Sequence, residues 1–260
     1  MDKITCLWVQ NELDDISIKC IESWLRLGYK VDIYTYSDCF INPWDGSQYS
    51  ENVEIKNANE ILPIDPTSKL KYEFLADLFR FKMFSLNKSV FWKRWSERLI
   101  WCDTDQFLIR KIKPITNFVS SQFTLQKGAF AHTILKKIPN IGVMCFDGSE
   151  SIDWDKIIKK GSVAPRYSNQ SGYLKYYEKE MGKYPDLIVD PERYCPIHWA
   201  WAKDIYTRGN IDSSKQKYGL HQKDYYDIVA DDEIIGVHLW RQLYKKGEWK
   251  IKKGSIYTKL

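Results

Sequence analysis

The sequence predicts a Rossmann-like α/β protein folded as one domain over residues 1–260. Three observations predict it. A strand, a helix and a second strand follow one another within residues 4–36. An apolar run at 99–102 stops at two aspartates, as a buried strand does when it delivers polar groups at its end. No linker, repeat or low-complexity segment divides the chain.

Residues 4–9 are short and almost wholly apolar, the pattern of a parallel strand covered on both faces. Residues 11–15 supply loop and capping side chains. From 16 to 27, apolar side chains at 16, 20, 21, 24, 25 and 27 form one helical stripe, and Gly28 stops it. Residues 31–36 make the second strand. Residues 37–68 read as loop, punctuated by Pro43, Gly46, Pro63 and Pro66. A helix over 69–86 places Leu75, Leu78, Phe79, Met83 and Leu86 on one face. Asp77, Arg80, Phe81 and Phe84 fall on another, which makes Asp77 and Arg80 neighbours at i, i+3. The basic, aromatic stretch 87–97 separates that helix from the strand at 99–102. Later come a buried strand at 141–146, helices at 152–160 and 172–181, a short strand at 187–189, and a strand at 234–240 that ends in a His and a Trp.

Hydrophobic residues make up 44% of the chain, enough for a sizeable core, and the 11 Trp and 17 Tyr include rings that line sugar or base sites as readily as they fill cores. The balance of 39 basic to 34 acidic residues suits an anionic small ligand or loose contact with an anionic membrane surface. It is too mild and dispersed for a nucleic-acid partner. Lys245, Lys246, Lys250, Lys252 and Lys253, with Trp249 and Ile251 among them, read as a solvated tail in preference to a membrane-surface patch. Six scattered cysteines without Cys-x-x-Cys spacing argue against zinc. The first residues run straight into a strand pattern, and no apolar run approaches the roughly 20 residues of a membrane span. The expectation is a soluble, cytoplasmic protein with reduced thiols, peripheral at a membrane at most.

Asp103 and Asp105 carry the chemistry. Two carboxylates one residue apart at a strand end can hold a hard divalent cation against a diphosphate, which neutralises a leaving phosphate. Asp-x-Asp alone is common in surface loops; the apolar strand before it and the Asp77/Arg80 helix upstream set this one apart. An arginine such as Arg80 makes charge-assisted contacts with diphosphate oxygens, and Asp77 can accept from ribose or sugar hydroxyls. Trp8, at the end of the first strand, either stacks on a base or packs in the core. His238 either completes a metal's shell, bonds a phosphate or is structural. No Gly-x-Gly-x-x-Gly, P-loop or Gly-x-Ser-x-Gly is present.

These motifs resemble the DXD-containing sugar transferases of bacterial capsule and lipopolysaccharide synthesis, and more distantly the yeast-type α-mannosyltransferases and the catalytic domains of clostridial glucosylating toxins. The resemblance rests on Leu7-Trp8-Val9, on Gly28-Tyr29-Lys30-Val31-Asp32-Ile33-Tyr34, on Ala76-Asp77-Leu78-Phe79-Arg80, on Asp103-Thr104-Asp105, and on Tyr194-Cys195-Pro196-Ile197-His198-Trp199 and Val237-His238-Leu239-Trp240. It implies a GT-A-like mixed sheet flanked by helices, a nucleotide-diphosphate sugar donor, a glycan or lipid-linked acceptor, Mn²⁺ or Mg²⁺, and retention of anomeric configuration. It implies catalytic roles for Asp77, Arg80 and Asp103. Donor-binding residues would be Trp8, Val9, Tyr34, Asp77, Arg80, Asp103, Asn140 and Trp240, and metal ligands Asp103, Asp105 and His238. The chain departs from the family in 89–98, where a Gly-Gly is usual, and in Ala164-Pro165, where a Gly-Pro is usual. Two other classes compete: a carbohydrate-binding protein without catalysis, and a metal-dependent nucleotidyltransferase or phosphohydrolase.

Overall fold

The computed structural model describes residues 2–64, 72–88, 98–113, 117–127, 133–163, 170–209 and 223–260. Strand β1 (Lys3–Trp8) leads to helix α1 (Asp15–Arg26), strand β2 (Lys30–Thr35) and strand β3 (Val53–Asn57). Helix α2 (Tyr72–Lys88) precedes β4 (Leu99–Cys102) and the short β5 (Gln106–Leu108). A ribbon of β6 (Phe118–Lys127) and β7 (Thr133–Phe146) follows, then helices α3 (Trp154–Val163), α4 (Gln170–Met181), α5 (Ala202–Thr207) and α6 (Tyr225–Ala230). Strand β8 (Gly236–His238), α7 (Arg241–Gly247) and α8 (Ile256–Lys259) close the chain.

Six strands form one mixed sheet in the order β3-β2-β1-β4-β7-β6. β1 lies parallel to β2 and β4, and β2 parallel to β3, whereas β7 runs antiparallel to both β4 and β6. The helix-flanked α/β class expected from the sequence is therefore the one observed. Strand alternation divides the core between the two faces of the sheet. Ile4, Cys6, Ile100, Cys102, Val143 and Cys145 pack with α1 and the C-terminal elements. Leu7, Leu99, Trp101, Met144 and Phe146 pack with α2, α3 and α4. The amphipathic stripe read for α1 holds: Ile16, Cys20, Ile21, Trp24 and Leu25 are buried. Its start is capped by Asp14, whose Oδ1 accepts the Ser17 N–H at 2.9 Å.

Several elements differ from the sequence reading. The stretch 37–68 contains an edge strand, β3, whose mostly exposed Val-Glu-Ile-Lys-Asn offers little of the apolar signal of a central strand. β5 and β6 are further strands, and β7 starts eight residues before 141. Residues 187–189 are not a strand: Pro185–Leu187 is a 3₁₀ turn, and Ile188 makes only a single bridge to Val119. The strand expected over 234–240 is confined to Gly236–His238, because the chain turns into α7 at Trp240. The lysine-rich C-terminal stretch is folded, with Ile256 and Tyr257 buried, although Lys246, Lys250, Lys252 and Lys253 are exposed. All six cysteines are free thiols. The departures at 89–97 and at Ala164-Pro165 lie outside the described residues. Among the described residues no helix is long and apolar enough to cross a membrane.

Candidate active site

The ends of β1 and β4 open into a cleft of about 600 Å³, closed on one side by the β6–β7 ribbon and on the other by β8 and α7. Trp8, Val9, Asp77, Arg80, Asp103, Asp105, Asn140, His238 and Trp240 all line it, so every residue expected at the site is there except Tyr34. Tyr34 is a core residue, 3% exposed, with its ring 5.3 Å from that of Phe79. Its place in β2 turns it toward the α2 side of the sheet.

A local turn and a long-range pairing join Asp105 to His238. The Gln106 N–H returns to the Asp103 carbonyl at 2.9 Å, and β5 then pairs with β8 so that Gln106 opposes His238. The close approach requires glycine at 236: a Cβ there would stand 2.7 Å from the Phe107 carbonyl oxygen and 2.8 Å from Gln106 Nε2. His238 Nε2 consequently lies 3.1 Å from Asp105 Oδ1. The Asp105 carbonyl accepts the Leu239 N–H at 2.8 Å, and its Oδ2 accepts the Arg241 N–H at 3.1 Å. Burial alone would raise the Asp105 carboxyl; the His238 charge, with help from Arg241, outweighs it and lowers the pKa to about 2. Burial also disfavours the His238 imidazolium, but the Asp105 carboxylate holds its pKa well above the ordinary value.

Trp240 reaches its position through a left-handed backbone, with φ 52° and ψ 45°, unusual for a bulky residue. This turn ends β8, starts α7 and sets the indole centre 4.0 Å from that of the His238 ring, tilted by 42°, while its Nε1 donates to the Ile197 carbonyl at 2.9 Å.

Arg80 organises the other carboxylates. Its Nη2 lies 3.2 Å from Asp77 Oδ1 and 3.1 Å from Asp103 Oδ1, its Nη1 donates to the Ile141 carbonyl, and its plane lies 4.8 Å from the centre of the Trp101 ring. Trp101 Nε1 donates to Asp103 Oδ1 at 2.8 Å. Burial raises the Asp103 pKa; Arg80 opposes the rise and the nearby Asp105 charge adds to it. The i, i+3 pairing read from the sequence is thus a buried network, not a surface pair.

A bulge brings β7 to Asp103. Between the pairs Val119–Met144 and Ser121–Pro139, β6 contributes Ser120 alone while β7 contributes residues 140–143. Ser120 Oγ holds the bulge, accepting the Val143 N–H at 3.0 Å and donating to the Asn140 carbonyl at 3.2 Å. The Asp103 N–H bonds the Gly142 carbonyl at 2.7 Å. Asn140 lies within the strand, in its bulge, not ahead of it.

On the β1 side of the cleft, Trp8 is 4% exposed and its Nε1 donates to the Glu12 carbonyl at 2.8 Å. Arg241 covers its ring, 4.7 Å from the centre. Arg241 and Lys245 both pair with Asp14 Oδ2, at 3.1 and 2.8 Å, and both line the cleft. Sequence reasoning missed these two cations, and also Gln122 and Glu178 on the opposite wall. The i, i+4 spacing of Arg241 and Lys245 directly after the His-x-Trp was the available signal.

Among the described residues no three His, Cys, Asp or Glu side chains converge closely enough to hold a metal ion. Asp105 and His238 supply two adjacent donors facing the cleft, with the Asp103 carboxylate on the same wall. Mg²⁺ and Mn²⁺ commonly use one or two carboxylates and take further oxygens from substrate phosphates. Asp105 and His238, with Asp103 nearby, would hold such a cation only if a ligand supplied further oxygens.

No family model matches the sequence, and no curated protein matches it. Among solved structures, the chain is similar to the bifunctional glycosyltransferase WbbM, at 12% identity over 92% of this chain and 45% of that one, with a TM-score of 0.48. The glycosyltransferase PaToxG matches at 12% identity over 70% of this chain and 69% of that one, TM-score 0.39. GlyE of Streptococcus pneumoniae, also a glycosyltransferase, matches at 12% identity over 72% and 44%, TM-score 0.41. The chain spans less than half the length of the WbbM and GlyE chains. None of these likenesses assigns an activity to it.

Proposed function

We propose that the protein is a metal-dependent glycosyltransferase of GT-A type that moves a hexose from a UDP- or GDP-linked donor to a hydroxyl of a glycan or lipid-linked acceptor. The observation that carries this reading is the convergence of Asp103, held by Arg80, and Asp105, held by His238, on one cleft that Trp8, Arg241 and Lys245 also line. The motif resemblance of the sequence supports the same reading, and it alone supports retention of configuration.

In the reaction, the acceptor oxygen bonds to the sugar's C1 and the C1–oxygen bond to the diphosphate breaks. The electron pair leaves on the diphosphate, and the acceptor proton passes to it or to solvent. Mn²⁺ or Mg²⁺, held by Asp105 and His238 with Asp103, would neutralise the charge that builds there. Arg80 keeps Asp103 in place through a contact already made before substrate enters, so no reorganisation is needed at the moment of transfer. Arg241 and Lys245 line the cleft, are more exposed than Arg80, and suit the diphosphate charge. Holding acceptor and C1 together supplies the rest of the rate.

The test is to assay Asp103→Ala and Asp105→Ala for release of nucleoside diphosphate from a panel of sugar nucleotides with Mn²⁺, checking the fold by circular dichroism. Both variants are expected to lose transfer and keep the fold. Near wild-type turnover in both would overturn the site. Release of nucleoside monophosphate or pyrophosphate by the wild type would replace the reading with a nucleotidyltransferase or phosphohydrolase. Glycan affinity indifferent to Mn²⁺ and to UDP or GDP would replace it with a binding protein.

A further inference from the structure

We propose that Gln122 reads the transferred sugar, and that Asn140 acts as the positioning residue that aims it. This rests on the transferase reading above. The Gly142 backbone N–H can only donate, and it lies 2.6 Å from one end of the Asn140 amide. That end must therefore be the oxygen, Oδ1. The other end, Nδ2, can only donate, and it points at Gln122, 2.9 Å away. The Gln122 atom receiving it must be Oε1. One backbone donor thus orients both amides, and the Gln122 Nε2 is left with two N–H groups and no acceptor among the described residues.

Asn140, expected from the family resemblance to meet the donor sugar, spends its amide oxygen and one of its two N–H groups inside the protein. It locks the bulge to Gly142 and turns Gln122. Glycine at 142 is part of the device, since a Cβ there would stand 3.0 Å from Asn140 Oδ1 and 3.7 Å from Asp103 Oδ2. The clasp therefore sits directly beside the aspartate at the reacting centre.

Topology places the sugar on this side. β4, carrying Asp103, lies between β1 and β7 in the sheet. The β1 side of the cleft holds Trp8, Arg241 and Lys245, which suit a nucleoside diphosphate. Whatever hangs from the diphosphate past Asp103 then lies against the β7–β6 side, where Gln122, Asn140 and Glu178 line the wall. A sugar oxygen that accepts from Gln122 Nε2 gains a hydrogen bond that the free nucleoside diphosphate cannot make.

The experiment compares Gln122→Ala and Gln122→Glu with wild type. The glutamate keeps the oxygen that Asn140 needs and exchanges the donor for an acceptor. Dissociation constants are measured by calorimetry, with Mn²⁺, for UDP and GDP and for UDP-glucose, UDP-galactose, UDP-N-acetylglucosamine and GDP-mannose. For the preferred donor, Gln122→Ala is expected to lower affinity by about 2- to 10-fold, the range of one neutral hydrogen bond. Gln122→Glu should lower it further, and Gln122→Ala should bind the free nucleoside diphosphate within about 2-fold of wild type. Both variants retaining the wild-type ratio of sugar-nucleotide to nucleoside diphosphate affinity would overturn the role of Gln122 and leave the transferase reading standing. A wild type that binds none of these nucleotides would overturn both. Asn140→Asp, which keeps Oδ1 for Gly142 and removes the donor to Gln122, should lower the same ratio beyond any uniform loss of nucleotide affinity caused by its added charge. A purely structural asparagine would shift all ligands together.

Discussion

Arg241 lies over Trp8, its guanidinium carbon 4.7 Å from the centre of the indole. The same guanidinium is tethered to Asp14 at 3.1 Å. A base stacked on Trp8 must share or displace this cover, and a diphosphate must compete with Asp14 for Arg241 and Lys245. Asp14→Asn keeps an oxygen for the helix cap and removes the competing charge. We expect it to bind UDP or GDP several-fold more tightly than wild type by calorimetry. Weaker binding would mean that Asp14 holds the cations where the ligand needs them.

Asp14 also makes stability depend on pH. Burial pushes its carboxyl up, but Lys245, the Ser17 amide and Arg241 together hold it below the usual carboxylate value. A depressed carboxyl stabilises the fold above the unfolded pKa, about 3.9, and that contribution disappears as pH falls through the folded value. The stability difference between wild type and Asp14→Asn in urea should be constant from neutral pH to about 5 and shrink below about 4. A gap that widens on acidification would contradict the assignment.

Arg80 is expected to matter for folding as well as for transfer. It is 3% exposed, as is Asp77, and it separates the Asp77 and Asp103 carboxylates. Arg80→Met removes the cation between buried Asp77 and half-buried Asp103, a loss of up to about 3–5 kcal/mol. Chemical denaturation measures it. A loss under about 1 kcal/mol would show that solvent already screens the pair.

Gly236→Ala should cost about 1–3 kcal/mol and displace His238, because the new methyl group meets the Phe107 carbonyl and Gln106 side chain of the paired strand. Thermal unfolding and Mn²⁺-dependent activity should fall together. An unchanged melting temperature would place β8 farther from β5 than described.

With two adjacent donors, Asp105 and His238, among the described residues, Mn²⁺ alone should raise the melting temperature little, and Mn²⁺ with UDP or GDP should raise it more than the sum of the two. Excess chelator should abolish transfer. His238→Ala should remove the synergy between metal and nucleotide. Synergy intact in that variant would take His238 out of the metal's shell.

Much of the frame is local in origin. The first strand, α1 and β2 follow from residues whose apolar spacing matches the pleat or the helix within a few positions. Asp77 and Arg80 are neighbours because of helical geometry alone, and Asp103 and Asp105 stand where an apolar strand has to end. Tyr34 shows the limit: alternation says that it shares a face with alternate residues of β2, and only the packing against Phe79 says which face. β3 gave little signal because a half-exposed edge strand carries a diluted apolar pattern.

The local pattern of residues therefore decided the α/β class, the strand–helix opening and the position of the acidic doublet. Tertiary structure decided what meets that doublet. His238 reaches Asp105 across 133 positions of chain, and Arg241 reaches Asp14 across 227. The aim of Gln122 depends on a bulge held by a serine hydroxyl and on a glycine that leaves room for an amide. Short-range periodicity reports the rise and turn of the backbone over a few residues; contacts between distant segments arise only when sheet order and register bring them side by side.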